Sequence, residues 1–269
     1  MALLWAYFNV NAQVGFQVSP GKLFFRQSVG QVGSQTVRIT NSSPNDLVLE
    51  CNFADWKRDS MATKVYAAPG TYPGSISKYL KVTPENISLK PGESKLVEVN
   101  LSLPAEDDHM VSNAMLFITQ VNEKELANRS NNKQTSMVFR VQMGVHVYNE
   151  TPQLQSRNID IEDVQYIASN PVDGGKKDSS STQKKISALI ANIGERITEG
   201  TVRFELTHKE TLDEWKSKPL DFNSMPGDKF YVSNSLPGSL AKGRYALVTI
   251  VDFGSDQPLK VAESEIEIK

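Results

Sequence analysis

Between Ser136 and Tyr148 the chain reads SMVFRVQMGVHVY, with no proline and a single glycine, Gly144. Phe139, Val141, Met143, Val145 and Val147 recur at every second position, while Arg140, Gln142 and His146 fall between them. A helix scatters such residues around its circumference, whereas a strand lines all five on one face. The spacing therefore predicts one strand over 136–148. At roughly 3.3 Å per residue it spans about 40 Å, against about five or six residues for an ordinary strand. Asn149-Glu150-Thr151-Pro152 stops it and a polar segment follows. This pattern implies a first domain closed by a long strand and a second domain hung from it, with Phe139, Val141 and Met143 facing the first core.

A chain of 269 residues exceeds the usual size of one domain, so two domains are expected. Hydrophobic content of 39% and charged content of 22% suit two ordinary globular cores. A formal net charge of −2 offers nothing to nucleic acid or to an anionic membrane surface. With one cysteine, Cys51, no intrachain disulfide forms, and His109, His146 and His208 lie far apart without ligand spacing. The Gly-x-Ser-x-Gly and His-Glu-x-x-His patterns are missing, and the glycine-rich spots read as turns rather than phosphate cradles. Asp107-Asp108 and Glu123/Glu125 fall in loops, where solvation accounts for them. The reading is non-enzymatic, with no cofactor and no metal.

The first residues, MALLWAYFNVNAQ, are apolar to Phe8 and then present Val10-Asn11-Ala12, the small-residue pattern of a signal-peptidase site. Residues 1–12 are expected to be the remnant of a signal peptide, with Gln13 first in the mature chain, although no basic residue precedes the apolar run. A first strand beginning at residue 3 is the alternative. Twelve apolar residues are too few to span a bilayer, so the protein is expected in the periplasm or cell envelope without membrane insertion.

Residues 14–150 carry short alternating runs punctuated by proline and glycine. Val14, Phe16 and Val18 alternate up to Ser19-Pro20-Gly21, and Thr36–Thr40 runs up to Asn41-Ser42-Ser43-Pro44-Asn45. Leu47, Leu49, Cys51 and Phe53 share one side of the next run, and Lys90-Pro91-Gly92-Glu93 is a turn with proline at its second position. Leu96–Leu103 follows, then Ala114–Val121, then a polar hairpin over 122–134. Trp56 is expected to pin its own loop. Such spacing predicts an immunoglobulin-like β-sandwich over 13–150.

Val18-Ser19-Pro20 with Lys22-Leu23-Phe24-Phe25, the Arg38-Ile39-Thr40-Asn41 strand end, Leu89-Lys90-Pro91-Gly92-Glu93-Ser94, and Leu103-Pro104 followed by Asn113-Ala114-Met115-Leu116-Phe117 resemble a known family. In order and spacing they are similar to the N-terminal domain of the PapD-like periplasmic pilus-assembly chaperones. Asp55–Ser60 looks like the divergent Bacteroidetes-type members. Asp59-Ser60-Met61 resembles the short O-glycosylation acceptor of exported proteins in that group.

The resemblance implies that the last strand of the first domain is lent to an incomplete pilin sandwich, with backbone hydrogen bonds for affinity and alternate side chains in the subunit groove. It also implies two cations that hold the subunit's terminal carboxylate. The first position falls on Lys22, which keeps the charge. The second falls on Val145, which cannot pair with a carboxylate. Donor positions in the same register fall on Ser136, Val138 and Arg140, a poorly apolar plug. A shift of one residue, which a bulge at Gly144 would supply, presents Met137, Phe139 and Val141 instead.

The second domain, 153–269, begins in a polar stretch, with strands expected at Ile186–Ile190, Thr201–Leu206, Gly227–Val232, Gly243–Asp252 and Val261–Ile268, the last with a register break near Ser264. A helical turn is expected at Glu210–Lys216. The fold class is all-β, two immunoglobulin-like sandwiches in tandem. Two functions fit. One is an exported chaperone-like protein that binds subunits of a pilus or other surface structure by strand addition. The other is a structural or adhesive envelope protein with a protein or glycan partner.

Overall fold

A computed structural model describes residues 15–106, 109–124, 139–169, 172–173, 176–177, 183–254 and 256–269. The signal-peptide expectation over 1–12 and the donor positions Ser136 and Val138 lie outside these residues. Contacts divide the chain into two units, Met1–Trp56 with Tyr66–Pro152, and Lys57–Val65 with Gln153–Lys269. Each unit is a β-sandwich, and the fold is all-β.

The first unit contains β1 (Phe16–Ser19), β2 (Lys22–Phe25), β3 (Val32–Asn41), β4 (Leu47–Arg58) and β5 (Lys64–Ala67). It continues with β6 (Leu80–Thr83), β7 (Asn86–Leu89), β8 (Ser94–Ser102), β9 (Val111–Gln120) and β10 (Gln142–Glu150). One sheet has the order β1-β3-β8-β6 and the other β2-β10-β9-β4-β5, with β7 also on β4. At Ser19-Pro20-Gly21 the chain passes from the first sheet to the second. The alternating residues behave as amphipathic strands require. Val37, Ile39, Leu47, Leu49, Val97, Val99, Leu116, Ile118, Val145 and Val147 form one buried core. Each such side chain contributes about 1.5–3 kcal/mol, so a one-residue slip of any strand is strongly disfavoured.

Two expectations for this unit are corrected. Residues 139–141 of the expected long strand are not strand and β10 begins at Gln142, because β9 ends at Gln120 and a strand without a partner has no ladder to join. Phe139 is accordingly 70% exposed and not core-facing. Trp56 sits inside β4 rather than in a loop, and its indole Nε1 donates to the Ala114 carbonyl at 3.2 Å, tying strand to strand.

The second unit contains β11 (Ile159–Ser169), β12 (Val172–Asp173), β13 (Lys176–Lys177), β14 (Gln183–Asn192) and β15 (Thr198–His208). It ends with β16 (Glu214–Lys216), β17 (Leu220–Ser224), β18 (Lys229–Ser235), β19 (Gly243–Asp252) and β20 (Lys260–Ile268). Its sheets are β11-β14-β18 and β16-β15-β19-β20, with β17 on β15 and a separate β12-β13 ribbon. Sequence periodicity misses β11 because a bulge between Ile161 and Asp163 breaks the alternation. The helical turn expected over Glu210–Lys216 is instead a tight turn into β16, with Leu212 at φ 62°. No register break occurs near Ser264: β20 pairs continuously with β19, and Val261 lies exposed beside the glutamates. Residues 57–65 also belong here. Arg58 lies 4.8 Å over the Phe230 ring and 3.6 Å from Asp228, and Tyr231 donates its amide to the Ser60 carbonyl.

The two units repeat one plan. β1, β3, β4, β5, β7, β8, β9 and β10 correspond in pairing to β11, β14, β15, β16, β17, β18, β19 and β20, while β2 and β6 have no counterpart among the described residues. The same turn pair recurs with the same bonds. Asn41 donates its amide to the Asn45 and Leu89 carbonyls and accepts from Ser43 N. Asn192 donates to the Arg196 and Ser224 carbonyls and accepts from Gly194 N. Gly92 N donates to the Asn41 carbonyl and Gly227 N to the Asn192 carbonyl. Lys90-Pro91-Gly92-Glu93 and Met225-Pro226-Gly227-Asp228 are matching Pro-Gly turns, with Gly92 at φ 75° and Gly227 at φ 81°. In each, the acidic side chain accepts the amide of the turn's first residue.

Candidate functional site

β9 covers one edge of β10 from Gln142 to Glu150, whereas β2 covers the other only from His146 to Asn149. Gln120 N donates to the Val141 carbonyl, so Val141 and its alternate neighbours Met143, Val145 and Val147 turn their backbone groups toward β9. Gln142, Gly144 and His146 turn theirs the other way, and His146 N indeed donates to the Gly21 carbonyl at 3.1 Å. For Gln142 and Gly144 no strand lies on that side among the described residues. Among the described residues, about 13 Å of edge, four residues at roughly 3.3 Å each, is thus left unpaired.

The side chains sort by face. Val145 and Val147 are fully buried in the core, and Val141 and Met143 pack against it. Val145, the second carried-over cation position, therefore presents nothing to a partner. On the outer face a Cβ at Gly144 would lie 2.8 Å from Met115 Sδ and 3.5 Å from Phe117 Cε1. A side chain at Gly144 would require Met115 to shift, and Phe117 meets Tyr66 edge-on at 5.1 Å. No bulge occurs at Gly144, since the β9 register is unbroken there.

β2 sets a second group on the same face. Lys22 is the register partner of His146 and Phe24 that of Tyr148. The Phe24 and Tyr148 rings stack at 5.2 Å, which places Lys22 and His146, two residues earlier, on that outer face too. His146 is half-buried, stacked on Tyr148 at 5.6 Å and edge-on to Trp56 at 4.9 Å, with Nδ1 3.2 Å from Tyr148 Oη. The residue that stands beside Lys22 is therefore His146, one position from the one carried over. Sequence reasoning missed it because the parallel β2–β10 pairing joins segments more than a hundred residues apart. The equal spacing of Lys22/Phe24 and His146/Tyr148 was the signal available.

Arg140, itself exposed, pairs with a buried carboxylate. Its Nε donates to Glu123 Oε1 at 2.7 Å, and the Glu123 side chain is only 5% exposed. Glu123's own backbone N–H and then Arg140 hold this carboxyl below its usual range, against the effect of burial. The pair closes the base of the segment between β9 and β10. His208, in the second unit, is buried with Nδ1 accepting the amides of Glu210 and Thr211. Among the described residues no group of three or more His, Cys, Asp or Glu could hold a metal ion. No helix among them is long and apolar enough to cross a membrane.

No protein-family model and no curated protein matches the chain. It is similar to solved fimbrial chaperones. A class 5 fimbriae chaperone, CfaA, shares 14% identity at TM-score 0.46, covering 94% of this chain and 98% of that one. A chaperone–tip subunit pre-assembly complex of Csu pili from Acinetobacter baumannii shares 11% at TM-score 0.47, covering 93% and 98%. The CupB2 chaperone of Pseudomonas aeruginosa shares 11% at TM-score 0.46, covering 92% and 98%. Likenesses of this size assign no residue a role.

Proposed function

We propose that this chain is an exported chaperone-like protein of the periplasm or cell envelope that binds subunits of a pilus or other surface structure by strand addition along β10. The observation that carries the reading is the half-covered edge, with the N–H and C=O groups of Gln142 and Gly144 directed away from β9. A guest strand there continues the line of β2 and makes about four backbone hydrogen bonds, each worth roughly 0.5–1.5 kcal/mol net. If it runs parallel to β10, as β2 does, its last residue arrives at Gly21 and Lys22. Lys22, with His146 beside it, then meets a terminal carboxylate. Phe139, 70% exposed, offers the guest an apolar side chain.

The test is Gln142→Pro. Proline at this position deletes an outward N–H and leaves the β9 ladder intact. Captured protein from an envelope extract, identified by mass spectrometry, is expected to include a surface subunit with the wild type and with Gln142→Ala. Gln142→Pro should lose at least roughly tenfold of that capture, with its melting temperature lowered by no more than about 4 °C. Equal capture by the proline variant contradicts the reading.

A further inference from the structure

β20 is the last strand of its sheet; among the described residues its backbone ladder runs to β19 alone, with β11 of the facing sheet beside it. Its counterpart β10 carries β2 over half its outer edge; among its described residues the second unit has no counterpart of β2. Lys209 N donates to the Arg244 carbonyl, so the Arg244 backbone faces β15. Alternation turns Tyr245, Leu247 and Thr249 toward β20, where their partners are Ile266, Ser264 and Ala262. The N–H and C=O groups of Val261, Glu263, Glu265 and Glu267 consequently point out of the sheet. Their side chains are exposed on one face, while Ile266 packs against the core.

The chemistry of this edge selects its occupant. Glu265 already takes a lysine from the sheet side, in an ion pair with Lys209. Antiparallel pairing of two copies about Glu265 would set Glu263 against Glu267 and Glu265 against itself, like charges directly opposite, which is unfavourable. A guest with cations at those positions reverses the sign. Beside the strand's end a cavity of about 560 Å³, lined by Tyr166, Ala168, Lys184, Glu267 and Lys269, opens between the two sheets and leaves room for a guest's inward side chains. We propose that β20 is a second strand-pairing edge, for an extended protein segment with lysine or arginine at alternate positions and apolar residues between them. The proposal stands on β20 alone and does not require the β10 reading.

The probe is a fluorescein-labelled peptide with the repeat Lys-Val-Lys-Val-Lys-Val-Lys, titrated against the full chain by anisotropy. Saturable binding is expected, with affinity reduced at least roughly tenfold by Glu263→Pro, which removes an outward N–H and one charge but leaves the β19 ladder. Glu263→Gln with Glu267→Gln should weaken it less and make it less sensitive to salt. Gln142→Pro should bind like the wild type, so failure at one edge is separable from failure at the other. The proposal is overturned if Glu263→Pro binds as tightly as the wild type, or if Gln142→Pro abolishes binding. It is equally overturned if a Glu-Val repeat peptide binds as well, or if sedimentation shows that Glu263→Pro instead dissolves a dimer of this chain.

Discussion

Asp55 is a fully buried carboxylate in β4 that shapes a surface loop. It accepts the amides of Gly70 and Tyr72 at 3.0 and 2.8 Å and the hydroxyls of Ser75 and Ser77. Burial by itself raises its pKa; the Ser75 and Ser77 hydroxyls and the two amides outweigh that and bring it below the ordinary 3.8. A depressed folded-state pKa contributes stability that is present above the unfolded value and lost as pH falls through the folded one. The wild type should thus lose stability in acid below about pH 4–5, and Asp55→Asn should flatten that part of a denaturation-versus-pH curve. Asp55→Ala should cost about 2–5 kcal/mol at pH 7 by urea titration, since it removes the shared acceptor of four donors, the buried Ser77 hydroxyl among them. Cys51 makes the opposite case. Burial, then Glu50 and Glu85, push its thiol up to about 12. A maleimide should leave the native protein unlabelled at pH 7 and label it at once in guanidinium.

At the scale of the element, β10 shows what its sequence carried and what it did not. Its period of two was legible, and Val145 and Val147 lie in the core as the pattern demands. Its start was not legible, because where a strand begins depends on how far its partner reaches, and β9 stops at Gln120. Phe139→Asp should therefore leave the melting temperature within about 4 °C of wild type. Val147→Asp, which buries an unpaired carboxylate, should unfold the first unit by circular dichroism. Gly144→Val should also destabilise, since its side chain meets Met115 and Phe117. β11 was missed for a comparable reason: one bulged residue turns a period-two pattern into noise. The Lys22–His146 neighbourhood depends on a parallel pairing that no local spacing encodes.

Across the whole molecule the plan is one sandwich used twice. Its markers, an asparagine that ends β3 and β14 and a Pro-Gly turn with an acidic cap, are present in both halves of the sequence. Their spacing differs, since the stretch between Asn41 and Pro91 holds β6 and a longer loop than that between Asn192 and Pro226. Only the three-dimensional bonds of Asn41 and Asn192 align them. The tandem all-β architecture was legible; the grouping of residues 57–65 with the second unit was not, since it rests on Arg58 meeting Phe230 and Asp228. Together with β6, β2 distinguishes the first unit from its repeat: it covers half of one edge of β10, and the proposed guest pairs along the rest. Amide hydrogen exchange of the free protein and of its complex with a captured subunit tests that claim most directly. The account predicts that in the free protein Met143 and Val145 are protected while Gln142 and Gly144 exchange freely. In the complex the latter two should slow by roughly a hundredfold or more. Protection of Gly144 already in the free protein, or no change on binding, would contradict it.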